Sequence, residues 1–181
     1  SESIREQLLN AFEADDLPVV VHHVAMSNLL PTPGCFRPNH AMAFGSLRRY
    51  RAPCEIERSL VRASDAFATA HSSAMSREQC ECHLLVSIAA AAAQYFQDFL
   101  LTHPFPDGNG RTARTLLCSL LGQAFTGVPF TLLPFDGQRA SVVSALEISR
   151  KPLVSAVGIA ALTRMVLFGL CDALTGARGL T

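Results

Sequence analysis

Charge is scarce in this chain: only 17% of its 181 residues are Asp, Glu, Lys or Arg, and the formal net charge is zero. A neutral skin of this kind excludes nucleic-acid binding by bulk electrostatics. Lysine occurs once, at Lys151, against fourteen arginines. That bias has no structural cause and suits a GC-rich bacterial genome. The six cysteines (Cys35, Cys54, Cys80, Cys82, Cys118 and Cys171) lack the spacing of a disulfide framework, and they read as reduced thiols in a cytosolic setting. Cys80-Glu81-Cys82-His83 is no zinc site, because helical residues two apart point to different faces and no second ligand pair follows. Repeats and long linkers are missing too. Residues 1–16 are polar and amphipathic, with Ile4, Leu8 and Phe12 on one face, unlike a secretory leader. Residues 153–171 are apolar apart from Ser155, Thr163 and Arg164. Arg164 would be costly inside a bilayer, so the expectation is a buried C-terminal helix, broken or kinked near Gly158, and no membrane partner.

Apolar residues make up 49% of the chain, enough for one domain over residues 1–181 with a substantial core. Its chemistry concentrates in the run His103-Pro104-Phe105-Pro106-Asp107-Gly108-Asn109-Gly110-Arg111-Thr112-Ala113-Arg114. The preceding residues 82–101 read as a helix, since Leu84, Leu85, Ile88, Ala92, Tyr95, Phe96 and Phe99 recur at the spacing of one buried face. Pro104 cannot extend that helix and disfavours helical geometry at His103, which should sit at its end, partly freed from the core. Gly108, Asn109 and Gly110 can adopt left-handed conformations and turn successive amides inward as an anion nest. After Arg111 a second helix begins, with Leu116, Leu117, Leu120, Leu121 and Ala124 as its apolar stripe. Phosphates would meet backbone amides, the positive end of a helix dipole and two guanidinium groups together. Asp107 beside them is a hard oxygen ligand suited to Mg2+. His103 can take a proton from an attacking hydroxyl near neutral pH. Phe105, between polar positions, is expected to anchor the loop in the core. Singly, a histidine at a helix end, an Asp-Gly turn or two helical arginines would be ordinary surface features; assembled in this order they are not.

The run resembles the signature of the Fic family, His-x-Phe-x-(Asp/Glu)-Gly-Asn-Gly-Arg-x-x-Arg, at every fixed position. Chance agreement is on the order of one in 10^8 per chain. The resemblance implies a mainly α-helical bundle with a short β-hairpin flap over the active site. It also implies transfer of a nucleoside monophosphate, usually AMP from ATP, to a Ser, Thr or Tyr hydroxyl of a target protein, with pyrophosphate released. His103 would be the general base, and Asp107 would hold Mg2+ between the α- and β-phosphates. Gly108, Asn109 and Gly110 would line the phosphate cradle, Arg111 would bind the α/β-phosphates, and Arg114 would reach the γ-phosphate. A Doc-type phosphotransferase replaces the second glycine with Lys, so Gly110 favours nucleotidyl transfer. Relatives that transfer UMP or phosphocholine keep the same cradle, and a nonenzymatic binding module is a further alternative.

Weaker likeness extends over residues 30–170. Gly34-Cys35-Phe36-Arg37 looks like the Gly-x-(Tyr/Phe)-Arg element before the flap. The flap region is then residues 36–53, and Ala41, Met42, Ala43, Phe44 and Gly45 would dock the target segment by backbone pairing. Gly127-Val128-Pro129 fits the turn after the second motif helix. Arg37, Arg48, Arg49 and Arg51 read as a solvated edge of the hairpin or as a contact for an acidic target or the nucleotide. His22 and His23 read as ordinary histidines. The (Ser/Thr)-x-x-x-Glu-(Gly/Asn) helix that inhibits many Fic proteins is absent from these residues. The resemblance therefore implies a separate antitoxin-like partner, an inhibitory helix outside these residues, or an unrestrained enzyme, cytoplasmic in a bacterium or delivered into a host cell as an effector.

Overall fold

The computed structural model describes residues 16–42, 49–76, 80–125 and 139–178. Among them are six α-helices: α1 (Leu17–Met26), α2 (Ile56–Met75), α3 (Glu81–Thr102), α4 (Asn109–Ala124), α5 (Arg139–Ser149) and α6 (Ser155–Arg178). Short 3-10 turns, Pro53–Glu55 and Pro152–Val154, lead into α2 and α6. No strand forms among the described residues. One isolated antiparallel bridge joins Met42 to Arg49, and the Tyr50 N–H donates to the Ala41 carbonyl at 3.0 Å. Of the expected flap-docking positions, Ala43, Phe44 and Gly45 lie outside the described residues, as do residues 1–15 and the Gly127-Val128-Pro129 turn.

The chain divides into two compact units whose boundaries fall within α2, α3 and α4. The first comprises residues 1–64 and 98–116. Its core is built from Leu17, Val21 and Met26 of α1, Ile56 and Leu60 of α2, Phe99 of α3, Leu116 of α4, and the loop residue Phe105. Phe105 is fully buried, with Phe36 and Phe99 rings at 5.5 and 6.3 Å. Proline positions the entry to α2: Pro53 suits the first turn, where its missing N–H costs nothing, and Glu55 Oε2 accepts from the Ala52 N–H at 3.2 Å.

The second unit comprises residues 65–97 and 117–181. On α3 the buried positions Ile88, Ala92, Tyr95 and Phe96 follow the helical period, while Leu84 and Leu85 are half-buried at the first turns. The α6 helix is uninterrupted at Gly158, contrary to the expected break. A Cβ there would lie 2.5 Å from the Ala145 carbonyl oxygen and 2.6 Å from Ser149 Cα. The glycine serves close helix crossing with α5, and a helix tolerates it where packing repays the intrinsic cost of roughly 1 kcal/mol. Leu162, Val166 and Leu170 are fully buried, but Val157 and Phe168 are more than half exposed, so α6 is buried along one face only. Glu81–Thr102 and Ser155–Ala173 are both long and apolar enough to cross a membrane by length and composition.

Candidate active site

The twelve-residue run lies within the first unit, between the end of α3 and the first turns of α4. The His103 N–H donates to the Phe99 carbonyl at 2.9 Å, and His103 has φ +50°. This is a left-handed helix cap on a residue other than glycine, strained by roughly 1–2 kcal/mol and followed by a proline that blocks further helix. The chain thereby swings the half-buried imidazole off the helix end.

Only Gly108 of the three turn residues is left-handed, at φ +77°. Asn109 and Gly110 already belong to α4, which corrects the expectation that all three take left-handed conformations. The Gly108 carbonyl accepts the Thr112 N–H at 3.0 Å, so the amides of Asn109, Gly110 and Arg111 precede the first intrahelical bond and are the natural anion donors. Asn109 is 3% exposed, and both ends of its side chain are committed: Oδ1 accepts from Phe105 N–H at 2.9 Å and Nδ2 donates to Phe105 C=O at 2.7 Å. Its side chain therefore braces the loop, leaving only its backbone to line a cradle. A Cβ on Gly110 would meet nothing nearer than Arg114 Nη1 at 3.7 Å. Half-buried Arg114 thus lies beside the open glycine, while Arg111 is exposed with Nη1 3.3 Å from Met26 Sδ.

Asp107 is exposed, and its Oδ1 accepts the Gly108 N–H at 2.6 Å. No three His, Cys, Asp or Glu side chains among the described residues gather as a metal cage. A single carboxylate beside the free first-turn amides of α4 would nevertheless fit Mg2+, an ion that retains waters and shares its coordination with the oxygens of a bound ligand.

Three further residues shape the site and were not assigned to it from sequence. His22 on α1 is fully buried; its Nδ1 accepts from the Gly34 N–H at 2.7 Å and its Nε2 lies 3.0 Å from the Asp107 carbonyl oxygen. Gly34 can only donate, which fixes His22 as the neutral Nε2–H tautomer donating to Asp107. Burial lowers its pKa, opposed by the Asp107 carbonyl. Its ring stacks on Phe105 at 3.7 Å. Arg37 is 4% exposed, correcting its reading as a solvated edge or ligand contact. Its guanidinium donates only to main-chain carbonyls: Nε to His103 at 2.6 Å, Nη1 to Asn39 at 2.5 Å, and Nη2 to Arg51 and to Thr102, the latter at 3.2 Å. Burial pushes its pKa below the ordinary value. Tyr50 lies face to face with His103, ring centroids 3.9 Å apart and planes 11° apart. A signal for Arg37 existed in the Gly-x-Phe-Arg element. His22, 85 residues from Asp107, had none. A separate cleft of about 200 Å³ in the same unit is lined by Arg51, Arg58, Arg62, Asp98 and Thr102 among others, and holds none of the motif residues.

The Fic/DOC family model matches residues 19–121, more than half of the chain, and its span includes α1, the Gly-x-Phe-Arg element and the complete twelve-residue run. The chain belongs to the Fic/DOC family. A crystal structure of a Fic family protein from Desulfovibrio desulfuricans G20 resembles this fold with a TM-score of 0.61 and 16% identity, covering 94% of this chain. At that identity the likeness speaks to the fold alone. This Fic/DOC chain spans half the length of that protein. Among curated proteins, the ribonucleoside-diphosphate reductase small chain of Ostreid herpesvirus 1 is 49% identical over 37 residues, 20% of this chain and 6% of the viral protein. A match that short bears on a segment and carries no activity across.

Proposed function

We propose that this chain is a protein nucleotidyltransferase that moves AMP from ATP to a Ser, Thr or Tyr hydroxyl of a target protein. Membership of the Fic/DOC family suggests AMPylation-type transfer at the general level. The observation that carries the finer reading is the arrangement around Gly108: a base-bearing helix end on one side, and the first-turn amides with Arg111 and Arg114 on the other. In this reading His103 takes the proton of the target hydroxyl. Its oxygen bonds to the α-phosphorus as the bond from that phosphorus to the bridging oxygen breaks, and pyrophosphate leaves. The amides of Asn109, Gly110 and Arg111, with the two guanidinium groups, offset the charge that develops on the departing pyrophosphate. Mg2+, when bound, would be held by Asp107 and would neutralise phosphate charge. Gly110 leaves open the space that the Lys of Doc-type phosphotransferases would fill, which supports nucleotidyl over phosphoryl transfer.

The flap region, residues 36–53, is the proposed docking edge for the target segment. An antitoxin-like partner carrying the inhibitory Glu is the proposed regulator if the enzyme acts in a bacterial cytoplasm; a host-delivered effector would act without one. The test is incubation of the protein with labelled ATP, UTP, GTP, CTP and CDP-choline in cell lysate. Labelling from ATP alone supports AMP transfer, and labelling from UTP or CDP-choline instead would replace AMP by that donor's group. His103→Ala should lower transfer on the order of 10^2- to 10^4-fold, the usual contribution of a general base, while ATP binding by calorimetry persists. Full activity in that variant would remove His103 from the mechanism.

A further inference from the structure

We propose that Tyr50 is a positioning residue for His103, holding the base imidazole in its working orientation and tying it to the base of the flap. The inference rests on the nucleotidyl-transfer reading above for its rate prediction, and on geometry alone for the contact itself.

His103 stands outside α3 at φ +50°, so its ring departs from the helix with none of the orientation that a regular helical turn would impose. That ring lies nearly parallel to Tyr50 at 3.9 Å. Tyr50 is itself anchored. Its N–H donates to Ala41 at 3.0 Å, directly after the Met42–Arg49 bridge, and the carbonyl of the next residue, Arg51, accepts from Arg37 Nη2. The same guanidinium grips the carbonyls of His103 and Thr102. Both stacked residues are thus fixed, within one residue of their own backbone, to one buried cation.

Two effects on the base follow. An aromatic face at stacking distance opposes rotation of the imidazole about its Cβ–Cγ bond, which would tilt the ring out of the stacked plane, and so keeps the nitrogen that must meet the hydroxyl proton in that plane. It also favours the imidazolium that forms as the proton arrives, because the ring face is the negative side of the aromatic quadrupole. Neither effect needs the phenol oxygen, so Phe should replace Tyr50 and an aliphatic residue should not.

The test compares Tyr50→Phe and Tyr50→Leu. Proton NMR of the ring hydrogens of His103, assigned by their disappearance in His103→Gln, should show them upfield in the unaltered protein and in Tyr50→Phe, displaced by the ring current of the stacked aromatic. In Tyr50→Leu they should return toward the position of an unstacked histidine. Label transfer from ATP to lysate protein should fall roughly 2- to 30-fold in kcat for Tyr50→Leu, the span of a cation–aromatic contact, with KM for ATP unchanged and Tyr50→Phe near normal. Unmoved His103 resonances in Tyr50→Leu overturn the proposal, as does a Tyr50→Phe variant as impaired as Tyr50→Leu. If the unaltered protein transfers no nucleotide, the nucleotidyl-transfer reading fails, and the ring resonances still decide whether Tyr50 holds His103.

Discussion

Replacing His22 with Phe isolates what its two nitrogens contribute. Phe keeps a flat aromatic ring to stack on Phe105 at 3.7 Å, although its six-membered ring is somewhat larger than the imidazole in this fully buried position. What disappears is the pair of hydrogen bonds to the Gly34 N–H and the Asp107 carbonyl. An orphaned buried backbone group costs about 1–3 kcal/mol. Both bonds are only part-buried, so water reaches some of the freed groups and the lower half of that range applies, giving a loss of about 2–4 kcal/mol for the pair. For a chain of this length that corresponds to a melting temperature lower by roughly 4–16 °C.

The pH dependence provides a second signature. Burial lowers the folded-state pKa of His22 below its ordinary 6.5, so the unfolded chain binds the proton more readily than the native one. The stabilisation this group provides is complete above pH 6.5 and is lost as pH falls from there through the lowered folded value, at no more than about 1.4 kcal/mol per pH unit. His22→Phe should remove that component. Urea unfolding between pH 8 and 5 measures both effects. A variant as stable as the unaltered protein, with the same slope below pH 6.5, would refute the assignment of a neutral histidine bridging α1, Gly34 and the Asp107 loop.

Other perturbations probe the remaining supports. Arg37→Lys sets three donors against the four bonds of the guanidinium, gives up at least one charge-assisted bond at a site 4% exposed and should cost at least about 1.5–3 kcal/mol by urea unfolding; equal stability would show the four carbonyl contacts to be weak. Gly108→Ala forces a side chain to φ +77° with Met26 Sδ 2.7 Å from the new Cβ, and should destabilise by about 1–2 kcal/mol while raising the ATP dissociation constant measured by calorimetry. Gly158→Ala drives a methyl group against backbone atoms of α5 and should lower stability by about 1–3 kcal/mol in thermal melts, whereas a helix kinked there would gain from the same change.

The parts of this molecule that could be read from sequence are those whose cause is local. The span of α3 follows from the period of Ile88, Ala92, Tyr95 and Phe99, and its end from Pro104, a few residues away. The twelve-residue run declares its chemistry because every member lies within one short loop and the first two turns of the helix that follows. What escaped depends on partners far along the chain. His22 is ordinary by its neighbours, and only the fold sets it against Asp107. Arg37 sits between Phe36 and Pro38 in a loop, where nothing local marks a buried cation, yet the carbonyls that surround it come from residues 39, 51, 102 and 103. Gly158 was misread for the same reason: a glycine in an apolar helix suggests a break until a second helix is seen crossing at that point. Asn109 belonged to a recognisable motif, but the commitment of both ends of its amide to Phe105 is a matter of geometry that no spacing reveals.

Every bond that Arg37 makes ends on a main-chain oxygen. Oxygens of this kind are present whatever side chain their residue carries, so the frame they define is indifferent to substitution at Asn39, Arg51 or Thr102. Side chains at these positions can thus change while the His103 carbonyl stays where the guanidinium holds it. The one residue of this frame whose identity matters is the buried cation itself.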